Sequence, residues 1–98
     1  MRTSTIQQRF EQFHLDNPWV YSTLAQMIEE LRAKGIERWG MKSLWEVLRW
    51  RIAIGQVRVV GDADFKLNND YTSRYARLLI QNSPEFATMF ELRELRAE

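Results

Sequence analysis

The stretch that decides the fold is GIERWGMKSLWEVLRWRIAIGQVRVVGDADFKL, residues 35–67. From Met41 to Ile54 its apolar residues recur at spacings of three and four, which is the period of an amphipathic helix. Gly40 and Gly55 flank this segment and permit a sharp turn at each end. The pattern predicts a helix with a broad apolar face, formed by Leu44, Trp45, Val47, Leu48 and Ile52.

Beyond Gly55 the period shortens to that of a strand. Val57, Val59 and Val60 are β-branched and interleaved with Arg58, which favours extended backbone. Residues 61–64, Gly-Asp-Ala-Asp, have turn chemistry, and Phe65–Leu67 can form a return strand. We therefore expect a two-stranded β-hairpin with its tip near Asp62.

Two helices are expected before this stretch. Ile6, Phe10 and Phe13 lie on one helical face of a segment from about Ser4 to Asp16. The pair Asn17-Pro18 ends that segment, because the residue before proline is pushed out of the α region. The same pair opens the second helix, with asparagine as the N-cap and proline at the first helical position, and Gly35 ends it.

Two more helices are expected after it. Residues 68–70, Asn-Asn-Asp, offer N-caps for a fourth helix whose apolar stripe includes Tyr71 and Tyr75. Ser83 and Pro84 repeat the cap-then-proline signal. They predict a fifth helix that packs its apolar side chains inward, namely Phe86, Met89 and Phe90.

This order of elements predicts a mainly α domain with a small β-hairpin, resembling a winged helix-turn-helix with about five helices. The 98 residues are 45% hydrophobic, enough for one core, so we expect residues 1–98 to form a single domain. In a winged helix-turn-helix the third helix lies in the major groove of DNA, and the hairpin contacts the backbone beside it.

The sequence indicates the cell compartment in which the protein is expected. The chain has no cysteine, which is the usual pattern in a reducing compartment and excludes disulfides and thiolate metal sites. Its first residues have no apolar signal-peptide region, and no apolar run is long enough to span a bilayer. We therefore expect the protein in the cytoplasm, away from membranes.

Signatures of catalysis are absent from the sequence. There is no phosphate-binding glycine loop and no GxSxG motif, and the single histidine, His14, has no pair of acidic residues beside it at helical spacing. Asp62 and Asp64 suit a turn better than a calcium loop or the carboxylate pair of a nuclease. We expect no enzyme activity, metal or cofactor.

Positive charge is concentrated in the middle of the chain. The net charge is only +1, but residues 35–60 contain five basic and two acidic side chains. This favours duplex DNA as the partner, bound by a monomer or a symmetric homodimer. The residues expected to read bases are Lys42, Ser43, Glu46 and Arg49, and those expected to hold phosphates are Arg38, Arg58, Lys66, Arg74 and Arg77.

A structural interpretation of these charges is equally open. Charged residues at helical spacing also stabilise an exposed, solvated helix face. Arg74 and Arg77 can instead be solvated or paired with Asp70 or Glu85. Arg51 lies near the apolar face of its helix, so we expect it to be partly buried and paired with a carboxylate.

Three of the four tryptophans suggest a different partner. Trp19, Trp39 and Trp50 can form an exposed aromatic surface for a protein partner, whereas Trp45 fits the core. Trp50 points away from the apolar stripe of its helix, so it is either a surface anchor, a dimer contact or a side chain covered by the last two helices.

Four stretches carry a resemblance to a known family: FHLDNPWVY (13–21), LWEVLRWRIAI (44–54), FKLNNDYTSRYARLL (65–79) and FELRELR (90–96). Together they resemble a family of small, largely uncharacterised proteins encoded by bacteriophages and prophages. The resemblance implies a phage origin and a role inside the bacterial cell, and it supplies no catalytic residues. It is compatible with a DNA-binding regulator and with a protein that binds and modulates a host protein.

Overall fold

The chain is mainly α-helical in a computed structural model that describes residues 5–59 and 65–90. Within those ranges there are four α-helices: α1 (Ile6–Asp16), α2 (Pro18–Ala33), α3 (Met41–Ala53) and α4 (Thr72–Asn82). Two short 3-10 helices occupy Asn69–Tyr71 and Pro84–Thr88. None of the helices in the described ranges is long and apolar enough to cross a membrane.

The helix boundaries follow local chemistry. Thr5 caps α1: its hydroxyl accepts a hydrogen bond from the amide of Gln8, whose side chain in turn accepts from the amide of Thr5. Pro18 begins α2, as predicted. Asn17 stands at the N-cap position, but its side-chain amide donates to the carbonyl of Phe13 at the end of α1, so it joins the two helices.

Two glycines end helices as predicted. Gly35 follows α2 and Gly55 follows α3, and both have a φ angle of +80°. Residues with a side chain rarely adopt this left-handed backbone conformation, so glycine suits both positions. The chain can therefore leave each helix sharply.

The core lies where all four α-helices meet. Trp45 of α3 and Tyr75 of α4 are fully buried, with ring centroids 5.5 Å apart. The predicted core role of Trp45 is thereby confirmed. Further fully buried side chains surround this pair, namely Val20, Leu24, Ile28, Leu48 and Leu79.

The predicted β-hairpin is wrong at both of its flanks. Residues 57–59 and 65–67 are not strands. The amide of Val57 donates to the carbonyl of Arg51, so the chain folds back on the last turn of α3 and this amide is not available to a strand ladder. The expected tip near Asp62, with residues 60–64, lies outside the described residues.

Phe65 explains why the second flank is not a strand. Its ring packs between Phe13 of α1, at 5.6 Å, and Trp19 of α2, at 5.1 Å. A side chain inserted between two helices fixes this segment against the helical core, so helix packing outweighs the extended-strand pattern of the sequence.

The predicted fifth α-helix is also wrong in the described residues. Residues 84–88 form a 3-10 helix, in which the amide of Phe86 donates to Ser83 and that of Met89 to Phe86. Phe86, Met89 and Phe90 are nevertheless buried, as expected. The core thus accepts these side chains from a tighter turn than the sequence pattern predicted.

Candidate functional site

Helix α3 has an apolar inner face, and its outer face combines polar side chains with exposed large apolar ones. Leu44, Trp45 and Leu48 point inward and are buried. On the opposite side of the helix, Trp50 is 58% exposed and Ile54, just after the helix, is 50% exposed. The possibility that later helices cover Trp50 is therefore wrong for the described residues.

The two exposed large apolar side chains lie on one stripe of α3 together with Val47. Val47, Trp50 and Ile54 follow one another at spacings of three and four, which places them on one helical face. Val47 is partly buried against the core and joins the stripe to the body of the protein. We call Val47, Trp50 and Ile54 the α3 ridge.

Arg49 borders the ridge but is held by its own chain. Its guanidinium donates to Leu67 O at 2.8 Å, to Asn69 Oδ1 at 2.7 Å and also to the carboxylate of Glu46. Arg49 was expected to read DNA bases. Its donors instead serve the fold, since they tie α3 to the segment that leads into α4.

The other three residues expected to read bases are exposed. Lys42 and Ser43 stand in the first turn of α3, and Glu46 follows one turn later. Glu46 forms an ion pair with Arg49, so its carboxylate is engaged within the helix. Lys42 takes part in no ion pair within the described residues. The uncharged Ser43 is exposed beside it.

Of the residues expected to hold phosphates, Arg38, Arg58 and Lys66 are exposed. None of them takes part in an ion pair within residues 5–59 and 65–90. Arg51 was expected to be partly buried and paired. This prediction is confirmed, because Arg51 pairs with Glu30 of α2 at 3.7 Å.

Arg74 is the clearest correction among the phosphate-binding candidates. It is only 7% exposed, its Nε donates to Gln7 Oε1 at 3.1 Å, and its Nη1 lies 3.5 Å from the carbonyl oxygen of Asp70. A phosphate cannot reach a guanidinium that is covered in this way. Arg74 therefore ties α4 to α1, while Arg77 is half-buried.

The remaining aromatic candidates differ in exposure. Trp19 is half-buried, with its ring against Phe65. Trp39 is 39% exposed, and its backbone amide donates to the carbonyl of Met89 at 3.3 Å. Trp50 is thus the most exposed of the three, and the ridge that contains it is the better candidate surface.

A groove of mixed polar and apolar lining lies between the connector that follows α2 and the second 3-10 helix. It has a volume of about 540 Å³, and its charged lining residues are of both signs, namely Arg32, Glu37, Arg38 and Glu85. Arg32 is occupied by Glu29, at 3.3 Å, and lies over the ring of Phe86. Because both signs of charge line the groove, it does not favour an anionic ligand over a cationic one.

His14 and Tyr75 pack against other aromatic rings. His14 lies among the rings of Phe10, Tyr21 and Tyr75. Burial raises the pKa of the Tyr75 hydroxyl well above its usual range, and the neighbouring Tyr71 adds to the shift. No group of three potential metal-ligating side chains occurs in the described part of the chain, and Asp62 and Asp64 lie outside it.

Two features of the site were not predicted from the sequence. The exposure of Ile54 was missed, although its position four residues after Trp50 on the same helix face was the available signal. No sequence pattern predicts the hydrogen bonds from Arg49 to Leu67 and Asn69, because they depend on the path of the chain between α3 and α4.

The fold and the surface together define a small, mainly helical domain with an apolar ridge on one exposed helix. The chain matches no protein-family model, no curated protein sequence and no solved structure.

Proposed function

We propose that this protein binds another protein through the α3 ridge. The observation that carries the proposal is the exposure of Trp50 and Ile54 on the outer side of a helix whose inner side is fully used by the core. Large apolar side chains grouped on one exposed face are typical of interaction sites, and tryptophan is prominent among residues that dominate binding energy.

The partner we propose is a bacterial host protein. The support is the resemblance of the four stretches quoted above to proteins encoded by bacteriophages and prophages. Such a protein acts inside the bacterial cell, where host proteins are the available partners. Binding, with modulation of the host protein as its consequence, requires no catalytic residue of this chain.

The test is a comparison of three immobilised proteins: wild type, Trp50→Ala and Leu15→Ala. Leu15 is 75% exposed on α1 and serves as the matched control. We expect a host protein that wild type and Leu15→Ala recover from bacterial lysate and that Trp50→Ala does not. Loss of a binding hot spot weakens affinity by about 2 kcal/mol, roughly thirtyfold. Equal recovery by all three proteins would contradict the proposal.

Duplex DNA is the second candidate partner, by a helix-turn-helix-like mode in which α3 faces the groove. The observation that favours it is the exposure of Arg38, Lys42, Arg58 and Lys66 outside any described ion pair. Against it stand the engaged guanidinium of Arg49 and the burial of Arg74. In this mode DNA would also lie against the outer side of α3, where the apolar ridge is exposed.

Salt dependence distinguishes the two partners. Binding of labelled random duplex is measured by fluorescence anisotropy at about 50 mM and 200 mM salt, and phosphate contacts predict a steep loss of affinity, with a log-log slope of about −0.9 per phosphate. If DNA is the partner, Lys42→Glu weakens binding and the control Lys34→Glu, an exposed lysine after α2, does not. No binding at low salt rejects the DNA candidate.

A further inference from the structure

We infer that the groove between the connector after α2 (residues 36–40) and the second 3-10 helix binds a short peptide segment that carries both an acidic and a basic side chain. The site is separate from the α3 ridge, because no residue of the ridge lines the groove. Its volume of about 540 Å³ lies within the range of about 300–1,000 Å³ that is usual for ligand pockets. The groove is therefore large enough to hold a ligand.

The charges that line the groove do not neutralise one another. Glu37 and Arg38 of the connector are exposed, and so is Glu85 of the 3-10 helix. None of these three takes part in an ion pair within the described part of the chain. The fourth charged lining residue, Arg32, is already paired with Glu29. The groove thus offers unpaired groups of both signs, and a ligand that carries both signs is complementary to it.

The backbone of the connector supplies hydrogen-bond donors. The amides of Ile36 and Trp39 donate to carbonyls elsewhere in the chain, but those of Glu37 and Arg38 have no partner among the described residues. Every residue of a peptide presents a carbonyl oxygen, and extended peptides commonly bind through main-chain hydrogen bonds. A free amino acid has only its carboxylate to share between these amides and the guanidinium of Arg38. A peptide therefore matches the donors better than a free amino acid does.

The rest of the lining also suits a segment of a longer chain. Ile36 is half-buried and Met89 is 4% exposed, so the groove has apolar surface on which a peptide side chain can pack. At Gly35 the lining is open, because a Cβ at this position would meet no atom within 4 Å. The groove does not close over its occupant there, so a peptide can enter without a free end.

The experiment is an NMR titration of the full-length, nitrogen-15-labelled protein with three acetylated and amidated tripeptides. Lys-Val-Glu carries both charges, Lys-Val-Lys carries two positive charges and Glu-Val-Glu carries two negative ones. We expect saturable shift changes at the amides of Glu37, Arg38 and Thr88, all of which line the groove. The mixed-charge peptide should bind several-fold more tightly than either of the others.

Reversal of one charge in the lining tests the charge argument. Arg38→Glu leaves only acidic unpaired groups there, so the preference should change from the mixed-charge peptide to the dibasic one. Arg58→Glu is the matched control, since Arg58 is exposed but does not line the groove, and it should keep the wild-type preference. Amide shifts that match wild type in the helices show that each variant is folded.

Four outcomes would overturn the inference. They are equal affinity of wild type for all three peptides, an unchanged preference in Arg38→Glu, shift changes confined to residues outside the groove, and no saturable change with any peptide. Free glycine, a zwitterion without an amide carbonyl, is the fourth probe. If it binds as tightly as the mixed-charge peptide, the groove is a site for amino acids and the peptide assignment is wrong. None of these results bears on the α3 ridge, which Trp50→Ala tests separately.

Discussion

The guanidinium of Arg49 donates a 2.8 Å hydrogen bond to the backbone carbonyl of Leu67, eighteen residues further along the chain. The same nitrogen donates to the side chain of Asn69. One side chain of α3 thus fixes the position at which the chain enters the first 3-10 helix and α4. A residue that resembled a DNA-reading arginine in the sequence is a structural bridge.

Replacement of this bridge should loosen the entry to α4. We expect Arg49→Gln to lower the free energy of unfolding by about 1 kcal/mol, since the hydrogen bonds to Leu67 and Asn69 and the exposed ion pair with Glu46 are lost. Amide hydrogen exchange at Asp70 and Tyr71 should become faster, because both amides are bonded to Asn68 beside the bridge. Lys42→Gln is the control. Unchanged exchange in Arg49→Gln would show that the bridge does not hold this segment.

The elements that the sequence predicted well are those with strong local signals. Pro18, Gly35 and Gly55 mark helix ends through backbone chemistry that tertiary contacts do not alter. Residues 57–59 and 65–67 had only a strand-like alternation of short length. Their positions are decided instead by packing on α3 and by the insertion of Phe65 between Phe13 and Trp19, which the local pattern does not encode.

The same division holds for the candidate site. The helical period of α3 correctly predicted that Trp45 lies in the core. The same period predicted that Trp50 points away from the apolar face of the helix. Whether Trp50 is covered depends on distant elements, so the sequence left this open. Arg74 could not be assigned from the sequence, because its burial depends on α1 crossing α4 at Gln7.

Arg74 should matter for stability and not for charge-dependent binding. Arg74→Ala removes the guanidinium that bonds to Gln7, so we expect a loss of about 2 kcal/mol in the free energy of unfolding, the usual size for a lost hydrogen bond to a charged group. Urea denaturation measures this loss, with the exposed Arg58→Ala as the control within about 0.5 kcal/mol of wild type. A stable Arg74→Ala protein that has lost DNA binding would instead support the phosphate-binding role.

Tyr75 should give the protein an alkaline pH dependence. Its hydroxyl is buried, has no hydrogen-bond partner among the described residues, and has a raised pKa. The folded state therefore holds this proton more tightly than the unfolded state. The stabilisation is fully present below the ordinary tyrosine pKa of about 10 and is lost as the pH rises above it.

Tyr75→Phe isolates this effect. Because the hydroxyl has no described partner, the substitution should change the free energy of unfolding at neutral pH by less than about 1 kcal/mol. Above about pH 10 wild type should lose stability more steeply than Tyr75→Phe. The measurement is urea denaturation of both proteins from neutral pH to about pH 11. Parallel curves for the two proteins would show that Tyr75 does not contribute to alkaline unfolding.

The two tryptophans of α3 offer the sharpest contrast in the molecule. Trp45 is fully buried and Trp50 is 58% exposed, although both belong to the same helix. Trp45→Ala should lower the free energy of unfolding by about 3–5 kcal/mol, because it opens a large cavity in the core. Trp50→Ala should lower it by less than about 1 kcal/mol, because most of the side chain is already in contact with water. Thermal and urea denaturation measure both changes. A large loss of stability in Trp50→Ala would mean that its side chain is needed for folding, and reduced partner capture by that variant would then no longer identify the ridge as a binding surface.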